Sequence, residues 1–288
     1  MKKPTRPFQA TPPQPAIPRH VRHLIVDMDG VLWRGNQPVD GLAEFFAFLR
    51  QHDVRFILAT NNASKGADQY AEKLARFGVE APLESILTSA QATAAYLTTV
   101  APPGTPVHVL GAEGLRDALT ERGFVLTDDG ARYVVVGWTQ EMTWRNLAQA
   151  ALLIQRGATF IGANPDTNYP TEEGLVPGNG AQLAALQVTT GVAPLVIGKP
   201  EPGLYQEAMR RLGSTPETTA ALGDRLDTDI VGGRRVGLFT ILVLSGVATA
   251  ADLAASPVKP DLVCADVREL TRLWAASLSD DPPTQEHP

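Results

Sequence analysis

Short, uninterrupted apolar runs alternate along this chain with longer amphipathic stretches. Leu24-Ile25-Val26 has no polar alternation and is too short for a helix. It reads as a strand buried on both faces, as in the interior of a parallel sheet. Residues 54–60 repeat the pattern after 41–51, where Leu42, Phe45, Phe46 and Leu49 share one helical face. Residues 64–77 predict another helix, ended at Gly78 in the manner of a C-cap. Residues 86–97 and 107–110 open a region with its own strand and helix patterns at 133–137, 144–155 and 159–162. The short buried runs resume at 194–198, 219–223 and 239–244. This alternation predicts an α/β fold with a mostly parallel sheet. Its simplest organisation is one core, residues 20–85 and 190–278, interrupted by an inserted α/β domain over 86–189. Six prolines without an apolar core in the first 19 residues predict a floppy extension and not a secretory signal. Residues 279–288 are expected to be disordered.

Composition narrows the function classes. With 288 residues, 44% hydrophobic and 19% charged, the chain has globular composition and room for a large core. A net charge of −6 argues against nucleic acid or an anionic membrane as the main partner. The lone cysteine, Cys264, excludes an internal disulfide and a cysteine-built zinc site; it reads as a small buried hydrophobe suited to a reducing cytoplasm. The longest apolar candidate for a membrane span, 239–247, is broken by Thr, Ser and Gly, so a cytoplasmic location is expected. The five histidines form no ligand pattern.

Four polar clusters share one position type, the end of a buried run. Asp27-Met28-Asp29-Gly30 follows the first run, and residues two apart on an extended segment point to one side. Carboxylates that close repel unless a cation lies between them or one keeps a proton, which points to a hard metal, a nucleophile beside an acid, or both. An acidic turn is the plainer alternative. Thr60-Asn61-Asn62 closes the second run where a helix begins, a place that suits an anion such as phosphate, or merely an N-cap with turn residues. Gly198-Lys199-Pro200 holds a lysine between residues that restrict it, against the alternative of an ordinary solvated lysine. Gly223-Asp224 follows 219–222, with Thr228 and Asp229 about one helical turn on; Asp224 can supply a further oxygen ligand to Mg²⁺. Together these make a set for phosphoryl transfer through an aspartyl-phosphate.

In this order the four segments resemble the motifs of the haloacid dehalogenase (HAD) superfamily of phosphatases. The insertion between the second and third resembles the NagD and nitrophenyl-phosphatase branch, which includes phosphoglycolate, glycerol-phosphate and pyridoxal-phosphate phosphatases. The likeness spans about residues 21–275 and includes Trp33-Arg34-Gly35, Gly162-Ala163-Asn164-Pro165-Asp166 and Pro177-Gly178-Asn179-Gly180. It implies a Rossmann-like parallel-sheet core with an inserted α/β cap. It also implies that Asp27 attacks phosphorus and that Asp29 protonates the leaving oxygen and then activates water. By the same likeness Thr60, Asn61, Asn62 and Lys199 bind phosphate. Mg²⁺ would sit on Asp27, the Asp29 carbonyl and Asp224, with Asp229 ordering metal-bound water. The cap would select the substrate through Asp166, Asn168 and Tyr169, while Asn164 and Pro165 read as a turn. Trp138, Trp144 and Trp274 read as core or interface, and Trp33 as a neighbour of the catalytic loop.

The expected function is hydrolysis of a small phosphorylated metabolite, a sugar, glycerol, glycolate, nucleotide or pyridoxal phosphate. Relatives often dimerise through the inserted domain, which makes a homodimer an implication of the likeness alone. A signalling receiver domain also gathers strand-end aspartates, Mg²⁺, threonine and lysine, but it is about half this length and has no inserted domain. A catalytically idle binding protein would be expected to have lost Asp27, Asp29 or Asp224.

Overall fold

The computed structural model describes residues 16–171 and 174–279; the expectations for residues 1–15 and 280–288 fall outside them. The chain opens with β1 (His23–Val26), the hairpin β2 (Trp33–Arg34) and β3 (Gln37–Pro38), α1 (Leu42–Gln51), β4 (Arg55–Thr60) and α2 (Ala67–Arg76). β5 (Ile86–Thr88), α3 (Ser89–Val100), β6 (Pro106–Leu110), α4 (Glu113–Thr120), β7 (Val125–Leu126) and β8 (Tyr133–Val136) follow. Next come α5 (Trp144–Gln155), β9 (Thr159–Gly162), β10 (Asn168–Thr171), β11 (Gly174–Pro177), α6 (Asn179–Thr190) and β12 (Leu195–Val196). The chain then runs through α7 (Pro202–Leu212), β13 (Thr219–Gly223), α8 (Val231–Arg235) and β14 (Phe239–Val243). It ends in α9 (Ala250–Ala255), β15 (Leu262–Cys264) and α10 (Val267–Ser279).

Two parallel sheets organise these elements. The larger has the order β15-β14-β13-β1-β4-β5, the smaller β12-β9-β8-β6-β7, and β10-β11 form a separate antiparallel hairpin. β1 lies between β13 and β4, which explains its apolar run: Leu24 and Val26 pack among α1 and α10, while Ile25 faces α3 and α7 on the other side. The predicted face of α1, Leu42, Phe45, Phe46 and Leu49, is buried, and Phe48 joins it. Burial of each such side chain contributes about 1.5–3 kcal/mol.

The structure corrects the sequence reading at several points. β5 pairs with β4 in the larger sheet, although residue 86 was expected to begin the insertion. β12 pairs with β9 in the smaller sheet, although 194–198 was expected to return to the core. Val196 of β12 packs on an apolar cluster with Leu153 of α5 and Leu183 of α6. A second apolar cluster explains the place of β5. It runs from Ile25, Ile57 and Leu87 through Ala90, Ala94 and Leu97 of α3 to Val107, Val135 and Ile161, so the two sheets share α3. Ile17, expected within the floppy extension, is buried in the core with Val21. α2 starts three residues later than predicted, because Asn62 Oδ1 accepts from Ser64 N (2.8 Å) and Ser64 Oγ (2.7 Å) and fixes a turn first. Trp274 is buried as expected, but Trp144 is 83% exposed and belongs to no core.

Candidate active site

The polar clusters meet at the carboxyl ends of β1, β4 and β13, as open parallel sheets lead one to expect. They line a cavity of about 430 Å³ together with residues of the insertion. Asp27 continues the β1–β13 ladder, donating from its amide to Leu222 O at 2.8 Å. Asp224 stands at the end of β13 and is 1% exposed. Gly30 has φ +84°, and a Cβ there or on Gly246 would overlap Asp224 Oδ2, so both positions require glycine. Val247 N donates to Asp224 Oδ2 at 2.7 Å, while Asp224 Oδ1 is buried without a hydrogen-bond partner.

Lys199 reaches this place from the other sheet. The pairing of β12 with β9 continues through Ile197 N to Gly162 O (3.0 Å) and Gly198 N to Ala163 O (2.9 Å), which delivers Lys199 across the cavity. Its buried ammonium donates to Asp27 Oδ1, to Asp229 Oδ1 at 2.7 Å and to Ala59 O at 3.1 Å. Asp229 sits on the π-helical turn Leu226–Ile230, where its Oδ2 also accepts from Arg225 N at 3.1 Å. Asp27, Asp224 and Asp229 offer oxygens within 4.8 Å of one another, a hard donor set suited to a divalent cation.

The electrostatics agree with a need for positive charge. Burial pushes the Asp27 carboxyl well above the usual carboxylate range; Lys199 opposes this, and Asp229 and Asp224 add to it. Burial and then Asp229 push Asp224 up to about 7. Burial would lower the Lys199 ammonium, but Asp229 and Asp27 outweigh it and hold its pKa well above the ordinary value.

The predicted phosphate-binding residues divide. Thr60 lines the cavity, and its Oγ1 accepts from Asn62 N at 3.1 Å. The Asn61 side chain is already committed within the protein, which leaves only its backbone for an anion. Nδ2 donates to Asp166 Oδ1 (2.9 Å) and Lys199 O (2.8 Å), and Oδ1 accepts from Lys199 N (2.8 Å). The Asn62 amide oxygen is likewise used on Ser64. Asn61 is therefore a junction between the β4 loop, the Lys199 loop and the insertion.

Asp166, Asn168 and Tyr169 all line the cavity. Burial raises the Asp166 carboxyl, which the bond from Asn61 partly offsets. Asn164 is more than a turn residue: it is 3% exposed, its Nδ2 donates to Asn61 O (2.6 Å), and its carbonyl accepts from Asn179 Nδ2 (2.7 Å). Trp138 lies at the cavity and not in a core; its ring stacks on Tyr169 at 5.1 Å, and Nε1 donates to Pro177 O at 3.0 Å. Sequence reasoning also missed Arg34 and Arg225, which line the same cavity. For Trp138 the available cue was its place just beyond the apolar run 133–137.

Comparison with known proteins places this geometry in a family. Residues 24–125 match the haloacid dehalogenase-like hydrolase family, and 196–270 a second HAD-hydrolase-like family. An acid sugar phosphatase of Staphylococcus aureus is 41% identical over 87% of this chain and 97% of its own length. The 4-nitrophenylphosphatase of Thermotoga maritima superposes with a TM-score of 0.85 at 33% identity, covering 88% of this chain and 97% of that one. NagD of Escherichia coli K-12 gives 0.81 at 35% identity, with 86% and 98% covered. A glycerol phosphate phosphatase of Mycobacterium tuberculosis in complex with magnesium gives 0.81 at 38% identity, with 89% and 78% covered. The chain belongs to the haloacid dehalogenase-like hydrolases, in the branch of NagD and the nitrophenyl phosphatases.

Proposed function

We propose that this chain is a Mg²⁺-dependent phosphatase of small phosphomonoesters that works through an aspartyl-phosphate on Asp27. The observation that carries the reading is the group of Asp27, Asp224 and Asp229, with oxygens within 4.8 Å of one another and with Asp27 and Asp229 joined to one buried lysine. The relatives named for sugar, nitrophenyl and glycerol phosphates support the same substrate class, to which glycolate, nucleotide and pyridoxal phosphates also belong.

Asp27 attacks phosphorus as the bond to the leaving oxygen breaks, and Asp29 gives that oxygen a proton. Water then attacks the phosphorus of the aspartyl-phosphate while Asp29 takes its proton. The bond to Asp27 breaks, phosphate leaves and the carboxylate is restored. Lys199 opposes the burial that raises the Asp27 carboxyl and offsets the charge of the phosphoryl group. Thr60 Oγ1 accepts from Asn62 and keeps its own proton for a phosphoryl oxygen. The Asn61 side chain fixes the backbone of Lys199, and its main-chain amide is the group left for phosphate.

The donor set fits Mg²⁺, since Asp224 Oδ1 is a buried oxygen without a partner. Asp27, Asp224 and the Asp29 carbonyl would hold the ion, with Asp229 behind them, and bound Mg²⁺ supplies positive charge against phosphate and carboxylates. The test is release of phosphate from nitrophenyl phosphate and glycerol phosphate with Mg²⁺, after EDTA, and after Mg²⁺ is restored. Steady turnover that EDTA removes and Mg²⁺ returns is expected; release no greater than that of Asp27→Asn would overturn the reading.

A further inference from the structure

Asp29 is the exposed member of the aspartate pair, yet one of its oxygens is tied down. The indole of Trp33 is fully buried, and its Nε1 donates to Asp29 Oδ1 at 2.6 Å. The main chain closes the same clasp: Gly30 N donates to Trp33 O at 2.8 Å, and Asp29 and Trp33 form a β-bridge. Behind the indole stand side chains of α2 and the residue that ends it. Tyr70 stacks at 6.4 Å and 18°, Phe77 lies at 6.1 Å, and Lys73 Nζ is 4.3 Å from the ring centroid. A cation over the ring face draws electron density from the indole and makes its N–H a better donor. A free carboxylate would sample several rotamers, whereas this one is bonded to a ring that cannot turn.

We infer that Trp33 is a positioning residue for Asp29: it binds Oδ1 and so presents Oδ2 to the leaving oxygen of the phosphate ester. α2 holds Trp33 in turn through Tyr70 and Lys73. The inference rests on the acid/base reading of Asp29 given above. A held carboxylate transfers its proton from a prepared geometry, and losing such support typically costs rate without removing the chemistry. The loss should fall mainly on esters whose leaving group needs a proton.

Trp33→Phe removes the N–H and keeps most of the ring packing. The experiment measures kcat/KM for wild type, Trp33→Phe, Trp33→His and Asp29→Asn on glycerol phosphate and nitrophenyl phosphate, with the Tm of each. Trp33→Phe is expected to lose about 10–100-fold on glycerol phosphate and at most a few-fold on nitrophenyl phosphate, whose leaving group needs little protonation. Trp33→His, which keeps a ring N–H, should recover part of the glycerol phosphate activity even if both variants lose some Tm. Equal losses on the two esters in Trp33→Phe, while Asp29→Asn separates them, would reduce Trp33 to packing. Equal losses in Asp29→Asn itself would remove the acid/base reading, and the inference with it.

Discussion

Burial raises the Asp27 carboxyl, and Lys199 is the cation that opposes the rise. Asp27→Asn leaves the shape of the site but removes the oxygen proposed to attack phosphorus. Turnover should fall by several orders of magnitude while the Tm stays near that of wild type; more than a few per cent residual activity, with deamidation excluded, would contradict the assignment. Asn61 gives a subtler prediction. Asn61→Ala leaves the amide and carbonyl of Lys199 unpaired in a buried place, each at a cost of about 1–3 kcal/mol. Both Tm and kcat should fall, and an unchanged kcat would show that Lys199 is held by other means. The gathering of Asp27, Asp29, Lys199 and Asp224 was legible in the sequence because each follows a short apolar run, those of the aspartates in the larger sheet and that of Lys199 in the smaller. The task of Asn61 was not, since its partners lie 105 and 138 positions away and nothing local announces them.

At the scale of elements, α7 is fastened to β5 by one ionic cluster. Glu207 accepts from Arg210 (2.6 and 2.8 Å) and Arg211 (3.0 Å), and Arg211 in turn donates to Ile86 O at 3.0 Å. Burial would raise the Glu207 carboxyl, but the bonds from Arg210 and Arg211 outweigh it and hold it below its ordinary value of 4.5. Its stabilisation is therefore complete above 4.5 and is lost as the pH falls through the lower, folded value. Glu207→Gln should lower the Tm at pH 7, with the gap to wild type closing in strongly acidic buffer; a gap that does not change with pH would contradict the ionic account. The existence and type of these elements were readable from periodicity, but the sheet each strand joins was not. A run such as Leu195–Val196 is equally apolar in either sheet, and nothing within it announces that Val196 packs on the cluster with Leu153 of α5 and Leu183 of α6.

For the whole molecule, the consequence is a cavity with two kinds of wall. The larger sheet supplies the carboxylates, the loop after β12 supplies Lys199, and the insertion supplies Asp166, Asn168, Tyr169 and Trp138. Tyr169 is 41% exposed and stacked on Trp138, so its truncation should spare the fold. Tyr169→Ala is expected to reorder kcat/KM across sugar, glycerol, glycolate, nucleotide and pyridoxal phosphates by about 1–3 kcal/mol, with Mg²⁺ dependence unchanged. A uniform loss that tracks a lower Tm would assign Tyr169 to packing instead. That an insertion lies beside the strand ends bearing the aspartates was legible from the order of segments. The Trp138–Tyr169 stack was not, because it joins the end of one strand to a hairpin outside the sheet. The central claim, that phosphate passes through Asp27, is tested most directly by trapping the intermediate. Enzyme turning over a phosphate ester is quenched in acid and reduced with tritiated borohydride, which marks only an acyl phosphate, and the labelled position is found by peptide mapping. Label at position 27 that vanishes in Asp27→Asn is the expected result; active enzyme that releases phosphate yet carries no label there, or carries it elsewhere, would contradict the account.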